Sequence, residues 1–163
     1  SGLTGLVDIV YNKGVGTVVV LDNSITGMTG HQQNPTTGLT LQNEPTPIVS
    51  IEKVCEAIGV RRVHIVDPND LEAVEALLRQ ETAADEPSVI ITRRPCALLK
   101  GVQHHPPFQI DRDKCRSCKM CLRIGCPAIR MADGKAEVDE TLCVGCGLCK
   151  GLCAFDAIRE GVQ

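Results

Sequence analysis

Aromatic residues make up only 2% of the 163-residue chain, as Tyr11, Phe108 and Phe155, and tryptophan is absent. Any core must be built from Val, Ile, Leu and Ala, and no aromatic platform is available for stacking nucleic-acid bases. Long apolar runs are missing too. The longest, residues 18–21 (VVVL), falls far short of the roughly 20 residues a membrane-spanning helix needs. Basic residues are scattered and the net charge is only −3, which argues against nucleic acid or an anionic membrane as a partner. No charged-then-apolar leader lies near Ser1, so the expected location is cytoplasmic. The length suits one ordinary domain or two small ones.

What the chain has in excess is cysteine. Eight of its ten lie between Cys115 and Cys153 at tight, repeated spacings, and only Cys55 and Cys96 lie elsewhere. In a reducing compartment such clustering means metal binding.

The first hundred residues alternate between helical and strand periodicity. Residues 17–21 (TVVVL), 63–66 (VHIV) and 89–92 (VIIT) are short, β-branched apolar runs of the kind that suits strands buried on both faces. Ile51, Val54, Cys55 and Ile58 form a helical stripe ended by Gly59. Asn69 with Glu72 suggests a capping box ahead of a second stripe, Leu71, Val74, Leu77 and Leu78. The order helix, strand, long loop, helix, strand, helix, strand predicts a mostly parallel α/β sheet. Residues 23–47 have no period and are crowded with Gly, Thr, Asn, Gln and Pro. A loop of that length at the carboxyl end of a parallel strand is where ligands bind in open α/β sheets. Residues 99–107 (LKGVQHHPP) read as a linker. The expected organisation is therefore a first domain over 1–98, a linker over 99–107 and a second domain over 108–163.

Cys115, Cys118 and Cys121 form CxxCxxC, followed after four residues by Cys126 and Pro127; Cys143, Cys146 and Cys149 repeat the pattern, followed after three residues by Cys153. The duplication resembles two-cluster bacterial ferredoxins, in which each triplet caps three irons of a cubane and the fourth cysteine serves the other cluster. Carried over residue by residue, that resemblance assigns one [4Fe-4S] cluster to Cys115, Cys118, Cys121 and Cys153, and the other to Cys143, Cys146, Cys149 and Cys126. Gly125, Gly145, Gly147 and Gly151 would let backbone amides approach the inorganic sulfides. The sequence departs from the pattern in one extra residue before Cys126 and in Ala154 where proline is usual; a local loop change is expected. Tetrahedral zinc is the competing reading of CxxC pairs, but two triplet-plus-one runs suit cubanes better.

Residues 18–32 (VVVLDNSITGMTGHQ) resemble the cofactor loop of thiamine diphosphate-dependent 2-oxoacid:ferredoxin oxidoreductases, most closely the large (alpha) subunit of the indolepyruvate type, which ends in a thiamine-type domain, a linker and a two-cluster ferredoxin domain. The fold implied is a partial parallel-sheet thiamine diphosphate-binding domain followed by a small α+β ferredoxin-like domain. The resemblance implies that Asn23 supplies a side-chain oxygen and Ile25 a backbone carbonyl to the Mg2+ bridging the cofactor diphosphate, hard oxygen ligands being what magnesium requires. Thr26, Gly27, Met28, Gly30 and His31 would lie over the diphosphate and thiazolium, His31 being equally readable as a polar loop residue. The family's Gly-Asp pair, its first magnesium aspartate and its activating glutamate fall upstream of the position matching Ser1. The expectation is thus that this chain is the C-terminal part of a longer subunit, inactive alone and with no catalytic residue of its own. The implied activity is oxidative decarboxylation of a 2-oxoacid to its acyl-coenzyme A in an anaerobic setting. The implied partners are an external ferredoxin and the small (beta) subunit. The alternative is a free-standing two-cluster electron-transfer or docking subunit on a non-catalytic α/β scaffold.

Other candidates have plainer readings. Cys55 lies in an apolar stripe and reads as a small buried hydrophobe; Cys96 reads as a structural thiol. His104 and His105 precede two prolines and read as solvated or interface residues rather than a metal pair. Arg93 and Arg94 read as a solvated or subunit-facing pair.

Overall fold

A computed structural model describes residues 2–161. The chain divides into two compact units, residues 1–102 and 103–163; the division falls within the segment expected to be a linker.

The first unit alternates α1 (Gly2–Tyr11), β1 (Thr17–Asp22), α2 (Ile51–Ile58), β2 (Arg62–Val66), α3 (Leu71–Thr82) and β3 (Ser88–Arg93). Its three strands form a parallel sheet in the order β1-β3-β2, the α/β class that the alternating periods predict. β3 is last in sequence and central in space, so Ser88 to Thr92 are all buried. Val89 and Ile91 meet Leu6 of α1, Cys55 of α2 and Val60, with Val18, Val20 and Val63 packed around them. Each fully buried aliphatic side chain there contributes about 1.5–3 kcal/mol.

The edge strands depart from the expectation of burial on both faces. Val19 and Leu21 of β1 are 44% and 79% exposed, and Ile65 of β2 is 51% exposed. Each alternates with an inward neighbour, as the pleat of a strand requires, so among the described residues only the central strand is buried on both faces.

α2 begins at Ser50, whose Oγ accepts the Lys53 N–H at 3.1 Å, and ends at Gly59, φ 108°. α3 corrects the expected capping box. Its N-cap is Asp70, whose carboxylate accepts the Ala73 N–H at 3.0 Å, while the Asn69 N–H donates to Asp67 Oδ1. Asp67 draws Asn69 into a turn, leaving the cap to the next residue. The buried residue of α3 is Glu81 rather than its leucine stripe. The Glu81 carboxylate accepts from Arg62 Nε at 2.7 Å and Nη2 at 2.9 Å, and His64 Nε2 lies 3.0 Å away. The Arg62 guanidinium holds Glu81 below the usual carboxylate range, which fastens α3 to β2 by charge.

The second unit contains β4 (Phe108–Ile110), β5 (Ile129–Ala132), β6 (Lys135–Val138) and β7 (Ile158–Glu160). β4 pairs with β7 and β5 with β6, both antiparallel. The β5–β6 hairpin turns on Asp133 and Gly134, both at positive φ (48° and 75°), the requirement of a two-residue type I′ loop.

Candidate functional site

The eight clustered cysteines sort into two sets in space. Cys115, Cys118, Cys121 and Cys153 line one cavity. Cys126, Cys143, Cys146 and Cys149 line another, of about 330 Å³. Each fourth cysteine has thus crossed over to the other triplet. The first set rests on a small core of Ala136 and Ala157, with Ile110 and Met131 against it; the second rests on Ala128, Ile129 and Val138.

Loop conformation creates this arrangement. Ser117 and Lys119 lie at positive φ within the first triplet, and Gly145 and Gly147 within the second. Gly145 is also required sterically, because a Cβ there would come within 2.4 Å of the His105 carbonyl oxygen. The extra residue before Cys126 is taken up by a five-residue 3₁₀ turn, Met120–Ile124, ended by Gly125 at φ 69°, where the second run has only Lys150–Leu152.

The thiols differ electrostatically. Burial pushes the Cys149 thiol up to about 11, with the charges of Cys146, Cys143 and Cys126 adding to the effect. Burial likewise raises Cys121, and its charged neighbours are Cys115, Cys118 and Cys153. Cys115 is lowered instead, by the backbone N–H groups of Ala136 and Ser117 and the charges of Lys135 and Arg112. The Ala157 N–H also donates to Cys153 Sγ at 3.4 Å. Among the described residues no three His, Cys, Asp or Glu side chains are drawn together around a single ion; the thiols of each set spread over a cavity wall. A four-iron cubane takes one thiolate per iron, so each set of four thiols fits it in number and softness.

The long loop leaves the carboxyl end of β1. Asn23 is exposed, and its Oδ1 accepts the Ile25 N–H at 3.2 Å while the Ile25 side chain is buried. A short antiparallel bridge between Thr26 and Gln32 closes a tight tip. Gly27 accepts at its carbonyl from the Gly30 and His31 N–H groups, and Gly30 and His31 take positive φ (106° and 60°). Thr26, Met28, Gly30 and His31 are exposed. The tip therefore presents backbone, hydroxyl and amide groups, a hard oxygen set that suits Mg2+ and a diphosphate.

Arg93 corrects the reading of a solvated pair. Its Nε donates to Asp22 Oδ2 at 2.7 Å and its Nη1 to Glu52 Oε1 at 2.6 Å. Asp22 in turn accepts the Ser24 N–H, and Ser50 donates to Glu52. One guanidinium thus ties the start of the 23–50 loop to its end and holds the Glu52 carboxyl down to about 2. The partners lie 71 and 41 residues away in sequence; only the parallel register, which places Arg93 beside Asp22, reveals them. Arg94 pairs with Asp67 at 2.6 Å. Cys96, read as a structural thiol, sits beside the loop. Its N–H donates to the Asn23 carbonyl at 2.9 Å, and its Sγ lies 3.9 Å from where a Gly27 Cβ would stand. Cys55, by contrast, is a core residue at 2% exposure, and His104 and His105 are exposed.

Residues 1–92 match the family of thiamine pyrophosphate enzymes at their C-terminal TPP binding domain, and residues 136–159 match the 4Fe-4S binding domain. The chain is similar to the indolepyruvate oxidoreductase subunit IorA of Pyrococcus abyssi, with 39% identity over 99% of this chain and 26% of that protein. The corresponding subunit of Thermococcus kodakarensis is 40% identical over 99% of this chain and 27% of its own length. That of Methanothermobacter marburgensis is 34% identical over 98% and 26%. The chain spans about a quarter of the length of these relatives. No described helix is long and apolar enough to cross a membrane. A parallel α/β unit that presents its longest loop at a strand's carboxyl end, joined to two quartets of thiols, is thus what the matched domains describe, and the chain belongs to the thiamine pyrophosphate enzyme family through its C-terminal TPP binding domain, with a 4Fe-4S binding domain following it.

Proposed function

We propose that this chain is the electron-handling end of a 2-oxoacid:ferredoxin oxidoreductase that decarboxylates an aryl 2-oxoacid of the indolepyruvate type to its acyl-coenzyme A, in the cytoplasm of an anaerobe and together with a small (beta) subunit. The observation that carries the reading is the conjunction, in one chain, of a TPP binding domain with two separate four-thiol cavities.

Bound thiamine diphosphate supplies carbanion-stabilising chemistry, and bound clusters supply one-electron steps. The chain's own residues then have distinct tasks. Asn23 Oδ1 and the Ile25 carbonyl would hold Mg2+, and Thr26, Gly27, Met28, Gly30 and His31 would hold the diphosphate and thiazolium. Arg93 positions that loop from beneath. Cys115, Cys118, Cys121 and Cys153 hold one cluster, and Cys143, Cys146, Cys149 and Cys126 the other, in a domain taken to run over 108–163 after a first domain over 1–98 and a linker over 99–107. Ligation requires each thiol to lose its proton, a step that burial opposes most at Cys149.

The test is anaerobic assay of the intact protein with its partner subunit. Indolepyruvate and coenzyme A together should reduce a viologen dye, faster than pyruvate does, and the chain should carry about eight irons. Full iron content with no 2-oxoacid-dependent reduction would defeat this reading in favour of a free-standing electron-transfer subunit.

A further inference from the structure

The two thiol sets sit in opposite electrostatic surroundings. Between residues 112 and 123 the first triplet is accompanied by Arg112, Lys114, Arg116, Lys119 and Arg123 against one acid, Asp113. Between residues 137 and 151 the second triplet is accompanied by Glu137, Asp139 and Glu140 against one base, Lys150. The difference persists in space. Arg116 and Lys119 belong to the wall of the first cavity, whereas the second cavity has no charged residue in its wall. Two basic residues elsewhere in the unit are used internally: Arg130 pairs with Glu137 and Lys150 with Glu160. Among the described residues Arg116, Lys119 and Arg123 make no ion pair, and all three are exposed. The same cavity exposes Met120 at 41% and Phe155 at 46%, and Cys118 beside them is exposed too. An apolar centre of Met and Phe within a charged rim is the anatomy of a protein-docking patch.

We propose that the face formed by Arg116, Lys119, Met120 and Phe155 is the docking surface for an acidic one-electron carrier protein, and that electrons leave the molecule there, by way of the cluster held by Cys115, Cys118, Cys121 and Cys153. This rests on the assignment of clusters to the two thiol sets under the proposed function. Complementary charge steers such an encounter and sets its register. The surroundings also order the two clusters. Positive charge and N–H donors to sulfur both stabilise an added electron, and the first set has Arg116, Lys119 and an amide on Cys153. The second set has an uncharged wall. Electrons therefore run downhill from the second set to the first. At exit one electron passes from the reduced cluster to the oxidised carrier; no bond is made or broken and no proton moves.

The experiment uses the intact protein, reduced with dithionite and freed of excess reductant, and an acidic plant-type [2Fe-2S] ferredoxin as probe. Its reduction is followed by stopped flow, and its binding is measured separately by calorimetry. R116E/K119E should slow reduction and weaken binding by about tenfold or more at low salt and flatten the salt dependence of both. K53E, which removes an exposed lysine on α2, should leave both within about twofold. Potentiometry followed by EPR should show one of two midpoint potentials lowered in R116E/K119E and the other unmoved. Unchanged binding and salt dependence in R116E/K119E would overturn the proposal, as would loss of binding in a variant of the acidic segment such as E140K. Failure of the 2-oxoacid to reduce the clusters, with the dithionite result intact, would count against the proposed function and leave the docking surface standing.

Discussion

In residues 2–102 the deepest apolar side chains are Val89, Ile90 and Ile91, carried on a central strand, with α1 and α2 packed over Val89 and Ile91. In residues 103–161 the deepest are Ala128, Ala157 and Ile158, with Cys115 close behind. The first unit gains its order from aliphatic burial on one strand. The second, with about 60 residues and alanines at its centre, has too little apolar volume for that, and units of that size usually lean on metals or disulfides. Its thiols are where a sulfur-rich cofactor replaces a core. The same chain thus draws on two different sources of stability.

Removing iron is the sharpest way to separate them. Chelation, or Cys149→Ala, should expose residues 103–161 to protease while residues 2–102 stay protected, because metal binding free energy is folding free energy in such a unit; limited proteolysis with mass spectrometry reads the difference. Cleavage spread evenly over both units would break the comparison. Arg62→Ala is the converse. It leaves the Glu81 carboxylate, whose side chain is fully buried, with only Gln80 and His64 beside it, and should lower the first unit's denaturant midpoint more than Arg93→Gln, Asp70→Ala or Asn69→Ala does, with the cluster absorbance unchanged.

Arg93→Gln should cost less, about 1–3 kcal/mol at neutral pH, since Arg93 is a third exposed. Here pH fixes the sign. Glu52 falls from an ordinary 4.5 to about 2 in the folded chain, so its stabilising share is present above pH 4.5 and is lost as pH falls toward 2. The gap between the parent chain and Arg93→Gln in thermal melts should therefore narrow across that window. The smallest effect separates neighbours: Asp70→Ala should cost about 1 kcal/mol as loss of an N-cap, and Asn69→Ala less than about 0.5 kcal/mol. Equal losses at the two positions would return the capping role to Asn69.

Legibility in the sequence followed the range of the interaction. The α/β alternation, the Gly59 stop of α2 and the triplet spacing of Cys115–Cys121 and Cys143–Cys149 depend on neighbours a few residues apart, and these are visible in one dimension. The cap of α3 is local too, yet the capping-box spacing points to Asn69 with Glu72, whereas Asp70, with Ala73 three residues on, caps by a single bond that leaves no such pattern. The exposed faces of β1 and β2 were hidden because a β-branched run looks alike on a central and an edge strand. For the cofactor loop, the Asn23 to His31 stretch was conspicuous by its composition, whereas Arg93 and Cys96, which brace it from the end of β3, carry no local signal.

By itself the sequence determined the class of both units, the two cysteine runs and the loop after β1, because periodicity, glycine and thiol spacing act within a few residues. Tertiary structure decided what distance along the chain conceals. It placed the last strand of the first unit at the centre of its sheet, brought Arg93 to Asp22 and Glu52, and set Arg62 against a buried Glu81. It also left Arg116 and Lys119 without ion-pair partners in the wall of the first thiol cavity, while the wall of the second carries no charge. Those outcomes depend on which strands pair and on which charges find no partner, and Coulomb and packing energies are settled by separation in space.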